Sequence, residues 1–174
     1  MKILIAEDEL GIGETYKLML ESRGHIVTVT RHGSECLKVY HDTMAKLYGH
    51  SDAYLARNPP FDAVVLDYHL PNMDGLQAAK LILEANRRQR IIFASAYVRS
   101  TLEESVKYLH AIVELLEKPF DLDAFADIIE DKRVYEELKK INVKVRKIKN
   151  LEIEQLRDLL QGLSKTQPNS ALLS

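Results

Sequence analysis

Cysteine, net charge and long apolar runs are all scarce in this chain of 174 residues. The single cysteine, Cys36, excludes an internal disulfide and suits a reducing compartment. Unsupported by a neighbouring motif, it reads as a small core or surface residue, not a nucleophile. A formal net charge of -2 leaves no field over the whole molecule that would favour nucleic acid or an anionic membrane. The opening apolar run, Ile3 to Ala6, stops at Glu7, too short for a signal peptide or a membrane span, and no other segment reaches spanning length. Ligand spacing is missing among the histidines, and Gly11-Ile12-Gly13 lacks the further glycine of a dinucleotide fingerprint. The expectation is a soluble cytoplasmic protein, and 46% apolar residues suffice to bury a core.

What the chain does have is alternation. Ile3 to Ala6 is a short continuous apolar run, as in a strand covered on both faces. Ile12, Tyr16, Met19 and Leu20 then fall on one helical face, and Gly24 supplies a stop. The β-branched stretch from His25 to Thr30 predicts a second strand. A helix is expected from about Ser34 to Ala56, where Asn58-Pro59-Pro60 forbids its continuation. Phe61 to Leu66 predicts the third strand, Arg90 to Ala94 the fourth and Ile112 to Leu116 a short fifth. Helices are expected around Leu76 to Leu83, over Thr101 to Leu109, and from Asp121 onward. Strand and helix thus alternate five times, which predicts an α/β fold: a doubly wound, five-stranded parallel sheet with helices on both faces.

In such sheets ligands gather outside the carboxyl ends of the strands, where strand order reverses. The first strand ends in Glu7 and Asp8, the third in Asp67, the fourth in Ser95 and the fifth in Lys118-Pro119-Phe120. The stretch AVVLDYHLPNMDG, residues 63–75, sharpens the question, because an apolar run stops at Asp67 and breaks at once into a Pro and Gly loop. Asp67 either caps the segment after it or is placed at a strand end for chemistry. Three neighbouring carboxylates repel, so at least one pKa should rise unless a cation intervenes. Mg²⁺ removes the conflict, since it takes oxygen ligands and often only one or two carboxylates. A carboxylate beside Mg²⁺, with an ammonium and a hydroxyl opposite, suits attack on a phosphoryl group.

This set of residues, in this order and with this spacing, resembles the receiver domain of two-component response regulators over roughly residues 1 to 130. The resemblance implies a flavodoxin-like (βα)5 receiver that works as a phosphoacceptor and not as a conventional enzyme. By it, Asp67 accepts a phosphoryl group from the phosphohistidine of a sensor histidine kinase. Asp8, Asp67 and the backbone carbonyl of His69 would bind Mg²⁺ directly, with Glu7 acting through water. Ser95 matches the hydroxyl that swings toward the acyl phosphate, Lys118 matches the family lysine, and the Lys118-Pro119 peptide is expected to be cis. Phosphorylation would then change partner affinity on the face around the fifth strand and the helix before it. Bulky His69 and Tyr97, two places after the acceptor and the hydroxyl, would shield the acyl phosphate from water and lengthen its life. Two departures stand out: an insertion of roughly a dozen residues at about 44–60, and Leu115 where many receivers carry an aromatic.

Residues 131–174 form a C-terminal extension, expected to be largely helical. Val134, Leu138, Ile141, Val145 and Ile148 follow a four-three spacing, yet Ile141, Val143 and Val145 also alternate as in a strand, so 141–149 stays open between the two. Asn150 is placed to cap a second helix. The apolar stripe suggests a homodimer, an unidentified output protein, or packing onto the receiver. The basic run from Lys139 to Lys149 raises DNA binding as an alternative, which would make the chain a transcription regulator; a solvated face is the simpler account. A phosphatase of the haloacid dehalogenase type also uses a strand-end Asp and Mg²⁺, but it places a second Asp two residues later, where this chain has His69.

Overall fold

The computed structural model describes residues 1–48, 58–96, 109, 111, 113–133, 135, 136 and the main chain of 145–148. Chain order is β1 (Lys2–Ala6), α1 (Leu10–Ser22), β2 (Ile26–Thr30), α2 (Gly33–Tyr48), β3 (Ala63–Leu66), α3 (Gly75–Ala85), β4 (Ile91–Ser95), β5 (Val113–Glu117), α4 (Leu122–Glu130) and β6 (Val145–Ile148). The helix expected over Thr101 to Leu109 falls on residues that, save Leu109, lie outside the described set, as does the expected continuation of α2 over 49–56.

All strand pairs are parallel, in the order β2-β1-β3-β4-β5-β6. The first five strands give the receiver sheet expected from the alternation. The sixth resolves as a strand part of the stretch 141–149, left open between helix and strand in an extension expected to be largely helical: Val145–Ile148 pairs along β5, from Val113↔Val145 to Leu116↔Ile148. The alternating, β-branched pattern around Val145 outweighs its helical spacing because the outer edge of β5 offers unpaired main-chain groups. Lys132, Arg133, Tyr135 and Glu136, just after α4, are helical; residues 149–174 lie outside the described set.

Side-chain alternation along the strands splits the core in two. Leu4, Ala6, Val64, Leu66, Ile91 and Phe93 pack with Tyr40, Met44, Ala79 and Ile82 of α2 and α3. Ile3, Ile5, Val65, Ile92 and Ala94 pack on the opposite face with Tyr16, Leu20, Phe125 and Ile129 of α1 and α4. Each such side chain, when fully buried, contributes about 1.5–3 kcal/mol, which is why strands with almost no polar residue can hold the centre of the sheet. Helix ends follow local chemistry. Gly24, at φ +82°, takes the left-handed turn after α1. The Asp121 carboxylate accepts from the amides of Asp123 and Ala124 to start α4. Among the described residues no helix is long and apolar enough to cross a membrane.

Candidate functional site

Strand order reverses between β1 and β3, the place where a ligand crevice forms in an open parallel sheet. Main-chain bonds carry the strand ladders one residue further at this edge. The Glu7 amide donates to Thr30 (3.0 Å), that of Asp67 to Ala6 (2.9 Å) and that of Lys118 to Ser95 (2.9 Å). Residues 111 positions apart in sequence therefore emerge side by side.

Lys118 Nζ lies 2.6 Å from Glu7 Oε2 and 2.7 Å from Asp67 Oδ2. Carboxylate oxygens of Glu7, Asp8 and Asp67 lie within 4.8 Å of one another. Burial alone would lower the Lys118 pKa, but the hydrogen bonds it donates to Asp67 and Glu7 outweigh it and hold the ammonium above its ordinary value. Burial pushes the Glu7 carboxyl up, opposed only in part by Lys118. Three carboxylates facing one ammonium leave a negative excess that a hard divalent cation would neutralise. Glu7 Oε1 adds a second sign, since it is buried and makes no hydrogen bond to the protein. The donor set, all oxygen and partly open to solvent, fits a cation such as Mg²⁺.

The loop after Asp67 answers whether that residue is merely a cap. The cap of α3 is Asp74, whose Oδ1 accepts from the Gln77 amide at 2.7 Å. Asp67 instead accepts the His69 amide on Oδ1 (3.0 Å), which fixes the first turn of the loop carrying the His69 carbonyl. Asn72 takes a left-handed φ of +66°, and the Gly75 amide returns to the Tyr68 carbonyl. A Cβ at Gly75 would sit 2.0 Å from the Asp67 carbonyl oxygen, so this close return admits only glycine.

Ser95 is 1% exposed at the end of β4 and joins the group through its carbonyl, which receives the Lys118 amide. The Lys118-Pro119 peptide is cis, as expected. Tyr97 lies outside the described residues, and the His69 ring meets the edge of Tyr68 at 4.9 Å. Leu115 is fully buried in the core. The structure adds residues that sequence reasoning left out. Tyr16 stands with its ring 6.0 Å from Lys118 Nζ and packs on Phe120 and Phe125; burial pushes its phenol up to about 12. Gly13, dismissed with the dinucleotide pattern, lets α1 approach the site, since its Cβ would meet Val29 at 3.0 Å and Glu7 at 3.6 Å. Arg90 and Glu114 form a buried pair, with Nε–Oε2 at 2.6 Å, at the opposite edge of the sheet. An Arg followed by an apolar strand gives no sequence signal for its partner.

Comparison with known proteins agrees with this geometry. The sequence model of the response regulator receiver domain matches residues 3–130. The transcriptional regulatory protein CusR of Escherichia coli K12 is 31% identical over 130 residues, which cover 74% of this chain and 48% of that protein. The chain thus matches about half the length of this relative. Sporulation initiation phosphotransferase F of Bacillus subtilis is 26% identical over 128 residues, covering 74% of this chain and 90% of that protein. Among solved structures, the receiver domain of sensor histidine kinase PA1611 from Pseudomonas aeruginosa, with a magnesium ion coordinated in its active site cleft, shares the fold. Its TM-score is 0.55 at 24% identity, covering 74% of this chain and 93% of that one. With a parallel sheet in the expected order, acidic and basic strand ends meeting at its switch point, and a family match over most of the chain, this protein belongs to the response regulator receiver domain family.

Proposed function

We propose that Asp67 is the phosphoacceptor and that this chain is a phosphorylation-controlled switch of a two-component system, fed by a sensor histidine kinase. The observation that carries this reading is the contact of Lys118 Nζ with both Glu7 and Asp67 at the reversal of strand order. Asp67 Oδ attacks phosphorus, an O–P bond forms, the N–P bond to the donor imidazole breaks, and the imidazole nitrogen regains a proton. Lys118 stays charged throughout, so it can follow the oxygens that carry negative charge as the phosphoryl group moves. Ser95 supplies a hydroxyl for the product phosphoryl. Mg²⁺, held by Asp8, Asp67 and the His69 carbonyl with Glu7 through water, would screen the phosphoryl oxygens from the carboxylates. In this way the chain assists its own phosphorylation and dephosphorylation.

A groove of about 540 Å³ beside Lys118, lined by Ile12, Tyr16, Pro119, Phe120 and Leu122, supports the partner reading. It offers an apolar seat for a donor protein within reach of the acceptor. DNA binding through the extension, suggested by the name of CusR, is the second reading; a gel shift that weakens steeply with salt would support it. The phosphatase alternative has no support, because His69 stands where its second Asp would be.

The test is phosphorylation by acetyl phosphate with Mg²⁺, followed by intact mass. Wild type should gain one phosphoryl group, and Asp67→Asn or chelation of the metal should abolish the gain. Labelling retained in Asp67→Asn overturns the assignment.

A further inference from the structure

The family match ends at residue 130, yet the chain returns to the receiver twice after that point. Arg90 makes the first attachment. Its guanidinium bonds Glu114 of β5 (2.6 and 3.2 Å) and the Ile129 and Ile128 carbonyls at the end of α4 (2.7 and 2.9 Å). It also lies 5.4 Å from the ring centroid of Tyr135, in the first turn of the extension. The second attachment is β6, which lies along the outer edge of β5. Without β6, β5 would present a row of unpaired main-chain groups.

β5 is also the strand that runs directly into Lys118. The Lys118 amide points toward β4, to Ser95. Alternation along the strand therefore turns the Leu115 amide the other way, toward β6. One strand thus has the phosphoacceptor's lysine at its end and the extension along its side.

We propose that β6 is a releasable strap: it covers the β5 edge while Asp67 is unmodified and leaves that edge once Asp67 is phosphorylated. The occupant of the edge is the chain's own Val145–Ile148. Release follows from two features. β6 is four residues long and is paired, among the described residues, on one side only, so it belongs to the least stable elements of the sheet. Phosphorylation turns the Asp67 carboxylate into a mixed anhydride, the acyl phosphate, and adds charged oxygens, so Lys118 must change partners at the end of β5. The Lys118–Ser95 main-chain bond carries that change into the β4–β5 ladder, and a displacement of β5 there weakens its hold on β6 along the other edge. An edge bared in this way fits an extended segment pairing through its main chain.

This inference rests on Asp67 as acceptor, and the experiment separates the two. Hydrogen exchange of the full chain is followed at the Leu115 amide and at the Arg146 and Ile148 amides, which face β5 in this register, with intact mass in parallel, before and after acetyl phosphate with Mg²⁺. At rest these amides should be protected; after labelling they should exchange faster by about tenfold or more, with no change in Asp67→Asn. The full-length double variant Arg146→Pro, Lys147→Pro should expose Leu115 without any label, while Val65 and Phe93 stay protected and show that the fold is intact. Normal labelling with unchanged protection, or Leu115 unprotected at rest, overturns the strap alone. No mass gain overturns the acceptor and the strap together.

Discussion

At neutral pH the Lys118 ammonium is held charged by Glu7 and Asp67, and the Cys36 thiol is held neutral by burial. Burial outweighs the lowering influence of the nearby Thr30 hydroxyl, and the thiol is pushed up to about 12. Both groups keep their protons longer in the folded state than in the unfolded one. The folded state then binds more protons, so stability falls as pH rises. The Lys118 contribution is complete below about 10.4 and is lost as pH rises through its raised value. Cys36 acts earlier, from about 8.5 upward, where unfolded thiols ionise and the buried one does not. Urea midpoints between pH 8 and 10 should therefore fall in wild type, and Cys36→Ala should flatten that slope whatever its offset. At pH 8 the native thiol is both protonated and buried, so an alkylating reagent should label Cys36 only after urea is added. Labelling of the folded chain would contradict the burial.

Among the elements, the loop from Asp67 to α3 separates two roles that the sequence left mixed. Asp74 starts the helix and Gly75 brings the loop back against Asp67. Asp74→Ala should cost about 1 kcal/mol through the lost cap and leave phosphorylation by acetyl phosphate intact. Gly75→Ala should instead slow phosphorylation, because a Cβ 2.0 Å from the Asp67 carbonyl forces the peptide of the proposed acceptor to move. Thermal melts and labelling rates measured together would distinguish the two; equal rates in both variants would count against the loop as the acceptor's support. Strand ends at β1, β3, β4 and β5 were legible in the sequence because runs such as AVVL are apolar on both faces and stop at a charge or hydroxyl. Gly75 was legible as a residue that fixes the loop's path, but its contact with the Asp67 carbonyl was not, nor were Gly13 and Tyr16 as parts of the site, since a close approach depends on what another element brings to that point. β6 was half legible: its pattern admitted a strand, but only the edge of β5 decides the matter.

Across the whole molecule, the pair of Arg90, 3% exposed in its side chain, and Glu114, at 0%, joins β4, β5, the end of α4 and the start of the extension. Breaking it by Glu114→Ala leaves a buried guanidinium with an unpaired charge and should cost about 3–5 kcal/mol in urea unfolding. The double variant Arg90→Met, Glu114→Leu should recover much of that loss, since two apolar side chains need no partner. If the single and double variants fall equally, the carbonyls of Ile128 and Ile129 matter more than the ion pair.

Because every strand of this sheet points the same way, each return from helix to strand lies at the far edge from Asp67. Arg90 opens β4 there, Asn58-Pro59-Pro60 leads into β3 there, and the extension departs there toward β6. The described entry into β3 and the described exit from α4 therefore both lie on the side of the sheet away from Asp67. A reporter spliced in ahead of Pro59 would ride on that quiet side, and a fluorescent label there should track the protein without slowing its chemistry.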